Sequence, residues 1–229
     1  MAGFKGFADA NGRFWRALER NNQRDWFLAH KAEFVDGWQT PMRLLLDEVR
    51  DGIDKLYKGY QLDDPKVFRI FRDVRFSKDK SPYKTHIGGY IPLLRSGKKA
   101  TDLPMALYFH VGADEKFAAS GHYMMEPDSL ARFRAAVAHA KRGKDLDKLL
   151  AALAKKGFSA ESYDSYKRVP QGYEPDHPRA EHLKRKGLTV GFPALPKGML
   201  TSPKLVRWLI DGCKTSAPLV QWLIAATVE

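Results

Sequence analysis

Between Lys66 and His86 the chain gathers seven cations, Lys66, Arg69, Arg72, Arg75, Lys78, Lys80 and Lys84, against two carboxylates, Asp73 and Asp79. Guanidinium forks match phosphate oxygens two at a time, and lysines add mobile point charges. Tyr83 and His86, at the end of the same run, can supply a hydroxyl and an imidazole. Such a set suits recognition of a phosphate-bearing anion. It also suits an internal network in which Arg72 and Arg75 pair with Asp73, Asp79 or acids elsewhere and pin a loop. Two local acids cannot neutralise seven cations, which favours an anion site built from Arg69, Arg72, Asp73, Arg75, Asp79, Lys80, Tyr83, Lys84 and His86.

A second basic segment places Lys167, Arg168, Lys184, Arg185 and Lys186 around Gly172-Tyr173 and Asp176-His177-Pro178. Pro170 and Gly172 suit a tight turn, and Asp176 can orient His177. If the ligand is a phosphoester to be cleaved, Asp73 or His177 is the candidate general base, with arginines stabilising charge in the transition state. His177 reads equally well as a cap before a basic helix.

Other chemistry finds less support. His86, His110 and His122 fall on predicted strands, which raises a metal site. The register that matches both apolar faces sets Leu107, Phe109 and Val111 opposite Gly121, Ala119 and Phe117. It leaves His110 about 13 Å from His122 along the ladder, too far for ligands that must lie about 2.0–2.1 Å from one zinc ion. No metal ligand set is therefore expected. Asp114-x-Lys116 is similar to the acid-x-Lys of metal-dependent nucleases, but no upstream acid is placed to complete it. Dinucleotide, P-loop, nucleophile-elbow and zincin motifs do not occur, and no cofactor is implied. Cys213 is the only cysteine, which excludes an intrachain disulfide and a cysteine-based zinc site. Four residues beyond Leu209 on a predicted helix, it reads as a buried thiol.

The elements that must position these residues follow from periodicity. The first sixty residues are helical. Phe14, Trp15 and Leu18 form one apolar face behind a cap at Asp9 or Asn11. Trp26, Phe27, Phe34 and Trp38 form a second, and Thr40-Pro41 starts a third helix with Met42, Leu45, Leu46, Val49, Ile53 and Leu56. The period then changes to two, predicting strands over 66–76, 85–94, 104–111 and 116–124, the last two joined as a hairpin across Gly112-Ala113-Asp114-Glu115. A straight strand from Val67 puts Phe68, Ile70, Arg72, Val74 and Phe76 on one face and Arg69, Phe71, Asp73 and Arg75 on the other. Arg72 should then be buried and need a carboxylate or a ligand anion. Helices return from Pro127: one with Leu130, Phe133 and Val137, one ended by Gly157, a short basic one near Glu181–Lys186, and two terminal ones around Leu205-Trp208-Leu209 and Leu219-Trp222-Leu223. Helices, then sheet, then helices is an α+β order with a central, largely antiparallel sheet over about 66–124. A single domain over 1–229 is expected, helical over 8–57 and 127–228.

The run R-x-x-R-D-x-R-F-S-x-D-K-x-P-Y-K-T-H-I-G, from Arg69 to Gly88, resembles the signature of domain-of-unknown-function family 2461, conserved hypothetical proteins found mainly in bacteria. N-N-x-R-D-W-F-x-x-H-K at Asn21–Lys31 and R-V-P-x-G-Y-x-x-D-H-P at Arg168–Pro178, followed by Lys184-Arg185-Lys186, extend the resemblance over nearly the whole chain. It implies no particular activity. It does imply that the matching positions form one characteristic unit.

Bulk properties agree with an anion-binding reading without compelling it. Thirty-nine Lys and Arg oppose 27 acids, a formal charge of +12, which favours nucleic acid, nucleotides or phosphorylated metabolites. Hydrophobic residues make up 44% of the chain, an ordinary globular share. No apolar run nears the roughly 18 residues of a membrane span, and the N-terminus lacks the apolar core of a signal peptide. No membrane partner and a cytoplasmic location are expected; the oligomeric state is not legible. The favoured function is a binding module for a phosphate-bearing small molecule or nucleic acid. The alternatives are an enzyme acting on a phosphoester and a structural or interaction protein whose charges are merely paired. Bases stacked on Tyr90 or Tyr108 would point to single-stranded nucleic acid, a closed pocket to a small molecule.

Overall fold

The computed structural model describes residues 3–94 and 102–228. Met1, Ala2, residues 95–101 and Glu229, which belong to the expected 1–229 span, lie outside them. Helix α1 (Arg13–Arg20) buries Phe14, Trp15 and Leu18. Asp9 closes its entry by accepting from the Asn11 N–H at 2.8 Å and from the Arg13 N–H. Short helices α2 (Arg24–Ala29) and α3 (Lys31–Phe34) lead through a π-type turn, Val35–Gln39, directly into α4 (Thr40–Ile53). The expected fresh start at Thr40 does not occur, because Thr40 is itself helical (φ −64°, ψ −47°). Pro41 has no N–H and its ring collides with the carbonyl four residues back in a regular helix. The wider turn relieves that collision, and the Gly37 carbonyl accepts instead from the Ala8 N–H at 3.3 Å.

Seven strands form an antiparallel sheet in the order β1-β3-β4-β5-β7-β6, with β2 also on β3. They are β1 (Gln61–Leu62), β2 (Lys66–Val67), β3 (His86–Leu94), β4 (Met105–Gly112), β5 (Lys116–His122), β6 (Ser159–Glu161) and β7 (Leu188–Gly191). β3, β4 and β5 lie where alternation puts them. β6 and β7 lie in the stretch expected to be helical. β7 is four residues long and buried throughout, so it offers no alternation to read.

The β4–β5 register also differs from expectation. Tyr108, Phe109, His110 and Val111 face Ala119, Ala118, Phe117 and Lys116, while Met105 faces Gly121, so β4 carries one extra residue in a bulge. The bulge releases the Ala106 carbonyl from the ladder, and the Ser120 hydroxyl donates to it at 2.7 Å. Ser216 of helix α8 (Lys204–Thr227) in turn donates to Ser120 Oγ at 3.1 Å, and the buried Cys213 thiol points to the same carbonyl at 3.6 Å. Burial pushes that thiol well above its usual pKa, as suits a packing residue. Beside the bulge, Gly121 has φ 128°, and a Cβ there would lie 2.4 Å from the Leu188 carbonyl oxygen. Only glycine lets β7 approach so closely.

Helices α5 (Pro127–Ala138), α6 (Ala140–Ala154), α7 (Ala180–Lys184) and α8 complete the fold. The two expected terminal helices are one. Pro218 sits inside α8 and removes one backbone donor, but Leu209, Cys213, Ala217, Val220 and Leu223 keep a continuous buried stripe across it. α4 and α8 pack on the sheet face carrying Ile87, Ile91, Leu107, Phe109 and Val111, and the buried apolar side chains form one cluster. Among the described residues no helix is long and apolar enough to cross a membrane.

Candidate functional site

The segment expected as a straight strand over 66–76 instead leaves β2 after Val67 and becomes the outgoing leg of an arm. Phe68 N donates to Gly88 O at 2.9 Å, Lys84 N to Ile70 O at 2.8 Å and Arg72 N to Pro82 O at 2.9 Å, with an isolated bridge between Phe71 and Tyr83. Val67 faces Gly89 but Phe71 faces Tyr83, so the returning leg carries two extra residues and the predicted alternation fails. Phe68 and Phe76, expected on the inward row, are 44% and 96% exposed.

Arg72 is not buried. Its side chain is 28% exposed and pairs with Asp79, and its Nη2 reaches Ser77 Oγ at 3.5 Å. Asp79 also accepts from the Ser81 N–H at 2.9 Å; Ser81, then Arg72, holds its carboxyl far below the usual range. Arg75 forks onto Asp73 at 3.0 and 2.7 Å, which lowers the Asp73 pKa and makes it a weak base. Lys80 Nζ donates to Val74 O at 2.9 Å. The two local acids are thus consumed by Arg72 and Arg75. Among the described residues no carboxylate pairs with Arg69, Lys78, Lys80 or Lys84.

Tyr83 is a foundation rather than a ligand group. It is buried, its ring stacks on Phe27 at 4.2 Å, and its N–H donates to Asn22 Oδ1 while its carbonyl accepts from Asn22 Nδ2. Lys84 and His86 stand at the arm's root. The Lys84 ammonium lies 5.5 Å from the centre of the Phe68 ring, and burial, then Arg69, lowers its pKa. Burial, then Lys84, does the same to His86, partly offset by Glu115.

The root opens onto the sheet face turned away from α4 and α8. His86 and Tyr90 of β3, Tyr108 and His110 of β4, and Phe117 of β5 share that face through the register. Their rings form a connected layer: Phe68–Tyr90 at 5.4 Å, Phe68–Tyr108 at 6.3 Å, Tyr108–Phe117 at 5.7 Å, His110–Phe117 at 4.8 Å and His86–His110 at 4.3 Å. Gly88 makes room, since a Cβ there would lie 2.9 Å from Tyr108 Oη. Toward the far edge Tyr123 meets Tyr163 at 4.8 Å, and Tyr166 has Arg134 at 5.0 Å and Lys186 at 4.8 Å from its ring centre. From β2 to β6 the sheet is about 24 Å wide at about 4.8 Å per strand.

His86 and His110 are the imidazoles brought together, rather than His110 and His122. Burial, and the neighbouring His86, lower the His110 pKa to about 4. Its Nε2 faces the Glu115 carboxylate at 3.7 Å and its Nδ1 lies 3.0 Å from Tyr108 Oη. A carboxylate only accepts, so a proton on Nε2 with the tyrosine hydroxyl donating to Nδ1 is the tautomer that suits both neighbours.

His177 stands apart from this layer in its contacts. Its Nδ1 accepts from the Arg179 N–H at 3.0 Å, the role of a cap, while Arg179 Nε donates to Asp147 at 2.7 Å. Lys184 and Lys186 pair with Glu181 and Asp164. A cleft of about 400 Å³ is lined by Ala160, Glu161, Ser162, Ser165, Glu181 and Arg185; two carboxylates beside one guanidinium make it a poor host for phosphate.

Sequence reasoning located the arm but not most of the aromatic layer. Phe68 and Phe117 were not selected, and His110 was weighed only as a metal ligand. The usable signal was in β4, whose outward positions are Tyr108 and His110 where a solvated strand carries small polar or charged residues.

Fold and site together define an α+β protein with helices on one face of an antiparallel sheet and an aromatic second face joined to a basic arm. The chain belongs to the conserved hypothetical protein family DUF2461, whose profile matches residues 11–222. No curated protein matches it.

Proposed function

We propose that the protein is a binding module for single-stranded nucleic acid, held on the open sheet face with its phosphates led along the root of the arm. The supporting observation is the aromatic layer from Phe68 through Tyr90 and Tyr108 to Phe117, bordered by Arg69 and Lys84, with which no carboxylate pairs among the described residues. Rings on a solvent-facing sheet give each base a flat apolar surface, at about 1–3 kcal/mol per stacked base. Among the described residues no helix packs on this face to close around a ligand, which favours a polymer over a small phosphate. The net charge of +12 provides long-range attraction for the same occupant.

The test is fluorescence anisotropy with a labelled 12-nucleotide single strand across a salt series. Arg69 and Lys84 at the root of the arm together predict a log-log salt slope of about −1.4 for a single strand. Phe68→Ala and Tyr90→Ala should each weaken binding about tenfold without lowering the melting temperature appreciably. Absence of oligonucleotide binding at low salt would refute the reading.

A further inference from the structure

We infer that the arm tip makes a junction between single strand and duplex the preferred ligand, with Phe76 stacking on the terminal base pair. This rests on the single-strand reading above. Phe76 is 96% exposed, and it sits at the tip of a loop held by its own side-chain bonds rather than on a frayed terminus. The pairs Arg72–Asp79 and Arg75–Asp73, the Asp79–Ser81 N–H bond and the Lys80–Val74 bond all lie within residues 72–81. Below them the Phe71–Tyr83 bridge and the Asn22 clamp on Tyr83 fix the arm to the body. An exposed ring on a preorganised support loses little freedom when it meets a partner, which is what a wedge against stacked bases requires.

The surroundings indicate which flat apolar partner it fits. Arg75 lies 5.8 Å from the Phe76 ring centre, and Arg72, Lys78 and Lys80 share the tip. Arg69 and Lys84 at the root continue this line of cations to the aromatic face. A strand lying on that face passes the root and meets the tip. Where it re-enters a duplex, the last base pair presents an unstacked planar surface between two phosphate backbones. The tip offers a matching arrangement, a planar ring among cations. A double strand also carries one charge per about 1.7 Å of axis, so the extra cations at the tip have phosphates to meet only if a duplex lies there.

The experiment compares three probes at one salt concentration: a 12-nucleotide single strand, a blunt hairpin, and the hairpin carrying that strand as a tail. Wild type is expected to bind the tailed hairpin about tenfold more tightly than the strand alone, the size of one added stacking contact. Phe76→Ala should erase that advantage while leaving affinity for the strand alone within about twofold; Phe76→Trp should keep it. Phe76 touches so little that loss of folding does not confuse the result. Equal affinity of wild type for strand and tailed hairpin, or an advantage that survives Phe76→Ala, overturns the inference while the sheet-face reading stands. If none of the three probes binds, both fall. Phe76-dependent binding to phosphatidylserine vesicles without a junction preference would reassign the tip to a membrane surface.

Discussion

The Asn22 side chain pairs with the main chain of Tyr83 as a neighbouring strand would, receiving the Tyr83 N–H at 3.0 Å and donating to its carbonyl at 2.9 Å. Sixty-one residues separate them. The contact joins the turn after α1 to the returning leg of the arm, at a point where Tyr83 has already turned its ring into the core against Phe27. An amide side chain offers one acceptor and one donor side by side without a charge.

Asn22→Ala should therefore cost about 1–3 kcal/mol, because it leaves two half-buried backbone groups unpaired. Asn22→Asp should recover only the bond to the Tyr83 N–H, since a carboxylate cannot donate to the carbonyl. Urea unfolding gives the energy, and hydrogen exchange at Tyr83 and Lys84 should show faster opening of the arm before the core responds. Unchanged exchange there would mean that Phe27 alone secures the arm.

Arg72→Ala tests what replaced the buried guanidinium of the straight-strand reading. Because the pair with Asp79 is open to water on one side, its loss should lower the melting temperature less than Asn22→Ala does, and 1 M salt should shrink the difference. Phosphate should not restore it, as Arg72 is already answered within the arm. A large, salt-independent loss would show that Arg72 supports more than the tip.

These two residues also show where the sequence was legible. The alternation of β3, β4 and β5 reflects one face packed on the helices and one carrying the rings, and it predicted those strands directly. The arm reads as a strand by the same rule, since Phe68, Ile70, Val74 and Phe76 are spaced two apart. What breaks it is the unequal length of its two legs, together with Pro82, which cannot donate, and Asp79, which folds the chain back through Ser81. None of these acts through hydrophobic periodicity. The motif from Arg69 to Gly88 spans the arm, while only Tyr90 and Tyr108 of the aromatic face were read as stacking positions, because Phe68, Tyr90, Tyr108 and Phe117 come from four separate strands or legs.

Ser120→Ala should cost about 1–3 kcal/mol by leaving the bulge carbonyl of Ala106 without its short hydroxyl donor. Ser216→Ala should cost less, since Ser216 reaches that carbonyl only through Ser120. Denaturant midpoints of the two variants decide the order. A Ser216→Ala loss equal to that of Ser120→Ala would mean that the hydroxyl pair acts as one unit.

Acid should destabilise the protein earlier than carboxylate titration alone predicts. The His110 pKa falls from the ordinary 6.5 to about 4 on folding, so between those values the unfolded chain binds a proton that the native state refuses. Stability is then fully present above about pH 6.5 and declines as pH falls toward 4, with a loss from His110 of about 2 kcal/mol by pH 5. His86, lowered in the same direction, adds to this. His110→Gln, which keeps an acceptor for the Tyr108 hydroxyl, should flatten the profile between pH 7 and pH 5 without changing it above pH 7. An unaltered profile would place the acid sensitivity elsewhere.

The paired and unpaired cations of the arm should separate in their response to salt. Among the described residues no carboxylate pairs with Lys84, which lies against Phe68 at the entrance to the aromatic face, so a phosphate passing there releases a counterion when it binds. Lys84→Ala should reduce the salt slope for a single strand by about 0.7, the share of one contact. Arg75 carries the same formal charge, but both sides of its fork are engaged by Asp73, and a phosphate would have to displace that carboxylate first. Arg75→Ala should therefore leave the slope nearly unchanged and lower affinity only slightly, through the net charge. Anisotropy titrations of both variants from 50 to about 200 mM salt make the comparison. Equal slope losses would mean that binding follows the total charge of the arm; a loss confined to Lys84 would mean that it follows which cations Asp73 and Asp79 leave free.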